Sequence, residues 1–581
     1  MSAAPAGTSR ARIAAVAASL FLLFAATAAL YWPCLDGPLI WDDHAFVGAQ
    51  SFLRDPANLL LPLSPTGFAK VLPVRGAGRP LWLSSVLADP AAPGGPRRHR
   101  LVNLLWHAAC GWALMLLLLA MTGDLAASFA GALLFLAHPS HVETLVLVTF
   151  RADLMVFFFI AAAAWLVYES GRVERGYRAR IAAVACVGLA LLSKESAVVA
   201  PLLLYWVDPA KPGTWRKRLL VPLGAMLLLY VLFFAPRGGY IMADRSDALT
   251  SVYARYPKAF AATSAPLKPD PTPRLVERMD PPPWSEGQSV PLRILSGLRA
   301  QGRALASLVW PFDLAPDPAP RPARSLLDPA AWAAAALLAC LLWGALRLKA
   351  SAPLAAVGLA WIPLSLVPYM GFIAVKNTMG DRYLIFATAG LAMAACAALV
   401  RLPAGRRRAG LAAAFLLAGV WAAATRARLP DYAGDEAFFR ATLARDPDAP
   451  RARLGLALLL ADRRAPDAEA ELRRAVDAWP GSRTARFYLA DFLATNGRGP
   501  EAIAVLEALV REAPGDDAAR WELARTAARF GRPELAVSAC ADLLARRPDF
   551  SPASRLSDAC GSAAGRHGRP EGLVCTVEGS R

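Results

Sequence analysis

Two adjacent carboxylates, Asp42 and Asp43, stand in the run Leu35-Asp36-Gly37-Pro38-Leu39-Ile40-Trp41-Asp42-Asp43-His44. Paired carboxylates beside aromatics at a membrane surface repel one another and lose water, which raises one pKa toward the range that suits a general base. The bland alternative is a solvated turn or a helix cap. Further polar groups gather elsewhere in apolar surroundings. His99, Asn103 and His107 are spaced by four and share one helix face. His138 and His141 precede Glu143, and Arg151 and Asp153 follow closely. Lys194-Glu195 interrupts two apolar runs, and Asp381-Arg382-Tyr383 opens another. Ionisable groups at membrane depth are costly and are usually functional or paired. The pairings Arg151 with Asp153 and Lys194 with Glu195 are the structural alternative for those four. No CxxC or Cys/His spacing of a metal site occurs.

The elements that position these groups are transmembrane helices. The chain has 581 residues, 56% hydrophobic and 19% charged, with a mean hydropathy of +0.37, too apolar for a soluble protein of this length. Its net charge of +18 comes from short basic clusters between apolar runs, which argues for contact with membrane lipids and against nucleic acid. Cys110, Cys186, Cys340 and Cys396 sit in such runs as small hydrophobes. Arg10 and Arg12 precede an uncleaved first span from Ile13. Further spans begin near Leu101, Leu125, Leu145, Ile181, Ala197, Leu219, Ala331, Leu354, Tyr383 and Leu411, about eleven in all.

Threading eleven spans from a cytoplasmic N-terminus puts the clusters at Arg10 and Arg12, Arg172 to Arg180, Lys211 to Arg218, Arg347 and Lys349, and Arg401 to Arg408 inside. Arg97, Arg98 and Arg100 break the rule, in a long loop where the rule is weak. The loops 33–100 and 237–328 then face outward. The second is proline-rich and carries an amphipathic stretch from Pro291 to Trp310, expected along the interface.

Beyond Arg428 the composition turns to Ala, Leu, Arg, Asp and Glu. Pro447, Pro480, Pro514 and Pro548 recur at 33, 34 and 34 residues, the period of tetratricopeptide (TPR) helix pairs. Leu454, Leu456, Tyr488, Ala490, Leu523 and Ala524 take first-helix packing places, and Ala468, Ala502 and Ala536 the small-residue place in the second. The fold class is therefore all-α: a polytopic transmembrane domain over 1–428, an α-solenoid of about three to four helix pairs over 429–560, and a tail over 561–581. An odd span count places the solenoid outside. Cys540, Cys560 and Cys575 then leave room for one disulfide.

These pieces resemble a known family, the transmembrane and tetratricopeptide-repeat mannosyltransferase-like proteins, which share the GT-C fold of the protein O-mannosyltransferases. The matching pieces are Trp41-Asp42-Asp43, Arg79-Pro80-Leu81, His99 to His107, His138 to Glu143 with Arg151-Ala152-Asp153, Leu192-Ser193-Lys194-Glu195, Asp381-Arg382-Tyr383 and the repeats. Asp-Arg-Tyr stands where the family has Glu-Arg-Tyr. The resemblance implies transfer of a mannose-like sugar from a polyprenyl-phosphate donor to a protein or glycan acceptor, on the outer face of a bacterial inner membrane. It implies no nucleotide sugar and no required cofactor, a divalent cation being compatible with it. Asp42 then takes the acceptor proton and Asp43 assists. Arg382, with Arg151 and Lys194 as further candidates, holds the lipid phosphate. His99, Asn103, His107, His138, His141, Glu143, Asp153, Glu195, Asp381 and Tyr383 shape the site or orient the acceptor. The repeats hold a peptide or protein partner. A membrane-anchored scaffold for envelope assembly, without catalysis, is the rival reading. A transporter fits less well, because the polar groups gather at one face rather than at the midplane.

Overall fold

In lipid every backbone N–H and C=O must be satisfied within its own segment, and the Ala/Leu/Val runs of this chain meet that demand as helices. The computed structural model describes residues 6–48, 53, 55–64, 78–89, 96–172, 176–208, 223–228, 288–372, 378–479, 482–548 and 550–566. Among them all regular structure is helical. The greater part of the proline-rich loop, the segment around Lys211 to Arg218, most of the run that begins near Leu219, and Cys575 lie outside the described residues.

The first unit runs to Pro447. Its helices are α1 (Ala6–Tyr31), α2 (Pro80–Leu87), α3 (Arg97–Thr122), α4 (Leu125–Ala137), α5 (Val142–Val146), α6 (Arg151–Ser170), α7 (Tyr177–Ser193) and α8 (Ala200–Val207). After the second loop come α9 (Val290–Val309), α10 (Pro329–Leu348), α11 (Pro353–Leu366), α12 (Ile385–Arg401), α13 (Ala404–Arg428) and α14 (Asp435–Arg445). Among the described residues, six stretches are long and apolar enough to cross a membrane: Arg10–Cys34, Arg97–Thr122, Val148–Ser170, Pro329–Leu348, Asp381–Arg401 and Ala404–Tyr432. The run from Leu125, too short to span, continues through Pro139–Val146 after a 53° bend. Pro139 follows His138, which lies in the extended region that a residue before proline favours. Asp124 caps α4 by accepting from the Ala127 N–H at 3.1 Å, and Gly123 ends α3 with φ of 71°.

The amphipathic stretch packs one face on the bundle. Val290–Val309 is a helix whose Ala300, Ala304, Leu305 and Leu308 are buried with Leu338, Ile362, Leu366 and Met370. Gly297 permits this: a Cβ there would stand 2.4 Å from the Met370 backbone.

Hydrogen bonds sort the loops of this unit into two ends. At one end the Arg172 guanidinium donates to Ala120 O at 3.1 Å, Arg407 pairs with Asp124, and Arg401 donates to Ser351 O. At the other end lie Cys34 to Asp43, Arg100, His138 to Asp153, Lys194, Asp381 to Tyr383 and Arg428, joined by the contacts described below. Helices α3, α4, α6, α7, α12 and α13 each run from one end to the other.

The second unit, from Asp448 among the described residues, is a run of helix pairs: Pro450–Asp462 with Ala468–Ala478, Arg483–Thr495 with Gly499–Glu512, Asp517–Arg529 with Pro533–Arg546, then Ser551–Arg566. Leu454, Leu456, Tyr488, Ala490, Leu523, Ala524, Ala468, Ala502 and Ala536 are all buried, as repeat packing requires. The stretch Leu429–Arg445, adjoining the last span, packs with the first unit instead. Cys540 is a buried free thiol, and Cys560 is buried as well.

Candidate functional site

Asp43 is fully buried and accepts three hydrogen bonds, from Val148 N (3.0 Å), Thr149 N (2.8 Å) and Thr149 Oγ1 (2.7 Å). Burial pushes its carboxyl above the ordinary value, and the Thr149 and Val148 donors, with Arg100 nearby, pull the other way. With both oxygens engaged, Asp43 fixes backbone rather than meeting a substrate. Asp42, one residue earlier, is half-buried and lies within electrostatic reach of the Arg382 guanidinium.

Arg100 supports this loop from below. Its guanidinium, buried, donates to Cys34 O (2.8 Å), Gly37 O (2.7 Å), Pro38 O and Val146 O (3.0 Å). Gly37 admits this approach, since a Cβ there would lie 2.7 Å from the Arg100 nitrogen. The arginines that break the basic-loop pattern are thus partly structural: Arg100 pins the loop and Arg97 pairs with Asp36.

Arg382 is held by Glu143, which receives both its backbone N–H (2.8 Å) and its guanidinium. Its guanidinium also donates to Tyr383 Oη at 3.1 Å and sits 4.0 Å from the Phe150 ring centroid. Tyr383 stacks on Tyr369 at 3.6 Å. Lys194 Nζ binds both oxygens of Asp153 at 2.7 and 2.8 Å and lies 5.8 Å from the Tyr383 ring. A small cavity opens here, lined among others by Asp153, Ser196, Tyr369, Arg382, Tyr383 and Phe386. Arg79 closes the cluster through a two-pronged bond to Glu195, at 3.0 and 2.8 Å.

The pairings expected from adjacency are exchanged. Lys194 meets Asp153 rather than Glu195, and Arg151 meets Asp89 rather than its own helix neighbour. Residues i and i+2 on a helix point apart, so Arg151 and Asp153 each take a partner from another segment. Arg151 is fully buried and fully used: it donates to Asn103 Oδ1 (2.7 Å), Ser85 O (2.8 Å), His99 O (3.0 Å) and Asp89. Nothing of it remains for a phosphate. His99 Nδ1 shares Asp89 at 2.6 Å, and Asn103 donates to Leu145 O at 2.9 Å.

The histidines form a second, inner group. His107 Nε2 lies 3.0 Å from His141 Nδ1, and His141 Nε2 lies 2.9 Å from Thr388 Oγ1. His138 meets Ser140 Oγ (2.8 Å) and Leu308 O (3.1 Å). All three are buried, so they brace helices instead of facing an acceptor. Asp381 receives Arg428 at 2.7 Å, and Arg428 also donates to Pro139 O at 2.6 Å. Trp41 is buried, between Phe438 and Phe439 at 5.4 and 5.3 Å. Its φ of 51° is a left-handed conformation that costs a bulky residue roughly 1–3 kcal/mol.

The structure therefore brings Asp42, Arg382, Lys194, Glu143, Asp153, Glu195 and Tyr383 together, with Asp43 beside them as a brace. It sets Arg151, His99 and Asn103 in one buried network, and the three inner histidines in another. Asp89, Thr149, Arg428 and Asp435 are site-shaping residues that no motif revealed. Among the described residues, no group of three or more His, Cys, Asp or Glu side chains is gathered to hold a metal ion.

Comparison with known proteins agrees with this division. Tetratricopeptide-repeat profiles match residues 458–517 and 493–559. The chain is 29% identical over 195 residues to Protein O-mannosyl-transferase Tmtc1 of Drosophila melanogaster, covering 32% of this chain and 22% of that protein. It is 32% identical over 128 residues to Protein O-mannosyl-transferase TMTC2 of Mus musculus, covering 21% and 15% respectively. The match thus spans about a fifth of these relatives' length. No solved structure matches the chain. The repeats and this weak similarity together support a tetratricopeptide-repeat, mannosyltransferase-like family.

Proposed function

We propose that this protein is a GT-C type membrane glycosyltransferase, moving a mannose-like hexose from a polyprenyl-phosphate carrier to a protein or glycan acceptor, with no required cofactor. The observation that carries the reading is Asp42: a half-buried carboxylate within electrostatic reach of Arg382, beside a rigidly held Asp43. Asp42 takes the proton of the acceptor hydroxyl as its oxygen bonds to the anomeric carbon. The bond from that carbon to the phosphate oxygen breaks, and polyprenyl phosphate departs. Arg382, held by Glu143 and stacked on aromatics, stabilises the charge that develops on the leaving phosphate. Lys194, paired with Asp153, adds a second cation. Arg151 serves the fold.

The segregation of the two ends supports an outer-facing site in a bacterial inner membrane. Arg172, Arg401 and Arg407 gather at the end opposite Asp42, as cytoplasmic basic loops do. Because α13 finishes at the site end, the chain leaves the bundle there, which supports repeats on the periplasmic side. There they hold a protein partner or the acceptor polypeptide. A reporter active only in the cytoplasm, fused after Arg581, stays silent on this account; strong signal contradicts it.

The test of the reaction is transfer by purified protein in proteoliposomes, given radiolabelled polyprenyl-phosphate mannose and an acceptor peptide. Label moves to the acceptor on this reading. Transfer only from a nucleotide sugar contradicts it. The rival scaffold reading draws on the internal pairing of Arg151 and Lys194, and predicts label that stays in the lipid.

A further inference from the structure

The segment that presents Asp42 is shaped by a helix more than 380 residues away in the chain. The Trp41 N–H, immediately before Asp42, donates to Asp435 Oδ1 at 2.9 Å, across 394 residues. His44 Nε2, two residues after Asp42, lies 3.0 Å from Asp435 Oδ2. The Trp41 indole stacks on Phe438 at 26° between ring planes and meets Phe439 edge-on at 78°. Asp435, Phe438 and Phe439 stand at i, i+3 and i+4 of α14 and so share one face. Asp435 is itself buried, so its carboxylate is withdrawn from water and committed to this contact.

Three observations make this more than packing. The contact holds Trp41 in a left-handed backbone, with φ of 51°, that a tryptophan does not adopt unaided. Asp435 grips both flanks of Asp42 while leaving Asp42 half-exposed. On the far side Asp43 is tied to Val148 and Thr149, so Asp42 is carried on a span of chain fixed at each end. Arg428, adjoining the same junction, pairs with Asp381 next to Arg382.

We infer that Asp435 is a positioning residue for Asp42: through Trp41 and His44 it sets the reach of the carboxylate toward the acceptor hydroxyl. The inference rests on Asp42 being the base of the proposed transfer. Displacing a reacting group by about 1 Å can cost on the order of a hundredfold in rate, which sets the scale.

The experiment compares full-length wild type, Asp435→Ala, Asp435→Asn and Arg440→Ala, the last on the exposed side of the same helix. Each is measured for kcat, for the KM of polyprenyl-phosphate mannose, and for hydrogen exchange over residues 40–48. Asp435→Ala is expected to lower kcat by on the order of tenfold to a hundredfold, with donor KM little changed and the Trp41 to His44 amides exchanging faster. Asp435→Asn keeps an oxygen for the Trp41 N–H and recovers most of both, while Arg440→Ala matches wild type. Wild-type exchange in Asp435→Ala overturns the inference, as does faster exchange with unchanged kcat. Should Asp435→Ala not fold, Phe438→Leu loosens the Trp41 stack instead, and wild-type kcat and exchange there count equally against it. Full turnover by Asp42→Asn overturns the base assignment itself, and does so with the exchange difference intact, so the two failures are distinct.

Discussion

The two ends of the membrane bundle treat most of their charge differently, although the exposed pair Arg97 and Asp36 also lies at the site end. At the site end, Arg151 is fully buried, Arg428 and Lys194 are 5% and 7% exposed, and each faces a carboxylate no more than 4% exposed. At the other end, Arg172 is 56% and Arg407 39% exposed. Removing an ion from water costs several kcal/mol unless its partner and further hydrogen bonds restore the loss. A chain that gathers such groups at one end holds a built site there. Under the proposed topology, the exposed basic residues at the other end serve to orient the protein.

The comparison is sharpened by mutating one cation of each kind. The largest loss of stability is expected from Arg151→Ala, which leaves the buried Asp89 with His99 alone of its two ionic partners and takes donors from Asn103 and the Ser85 and His99 carbonyls. About 3–5 kcal/mol is the usual cost of removing one member of a buried pair. Thermal unfolding in a fixed detergent measures it, and a change below about 1 kcal/mol would mean that this network is not a structural brace. Arg382→Ala is expected to weaken binding of the polyprenyl-phosphate donor by about 2 kcal/mol, roughly thirtyfold, because a charge-assisted bond to phosphate is lost. Unchanged donor affinity by equilibrium binding would remove Arg382 from that role. Arg407→Ala, at the basic end, should alter stability by less than about 1 kcal/mol and leave transfer untouched. A large loss there would erase the distinction between the ends.

Much of this architecture is legible from periodicity. A repeat of 34 residues forces its own packing places, and the nine helix-packing residues read from the sequence, Leu454 to Ala536, are buried in the structure. Apolar runs mark the helices because lipid leaves the backbone no other partner. What failed was pairing. Sequence neighbours such as Lys194 and Glu195 suggest an ion pair, yet side chains adjacent along the chain diverge, and the partners arrive from Asp153 and Arg79 on other segments. The same limit hid Asp435, which nothing in the local pattern links to Trp41. It also hid the enclosure of Trp41 by Phe438 and Phe439. The break in the basic-loop pattern at Arg100 was a usable signal: an arginine where the rule forbids one is here an arginine that the fold has consumed.

The central claim is that Asp42, and not the fully buried Asp43, does the chemistry. Asp42→Asn removes the proton acceptor while preserving shape and leaves the Asp43 anchor to Val148 and Thr149 in place. Single-turnover transfer from polyprenyl-phosphate mannose, measured alongside donor binding, should show a loss of about two to four orders of magnitude in rate with affinity near wild type. Asp42→Asn protein that transfers sugar at the wild-type rate would contradict the account.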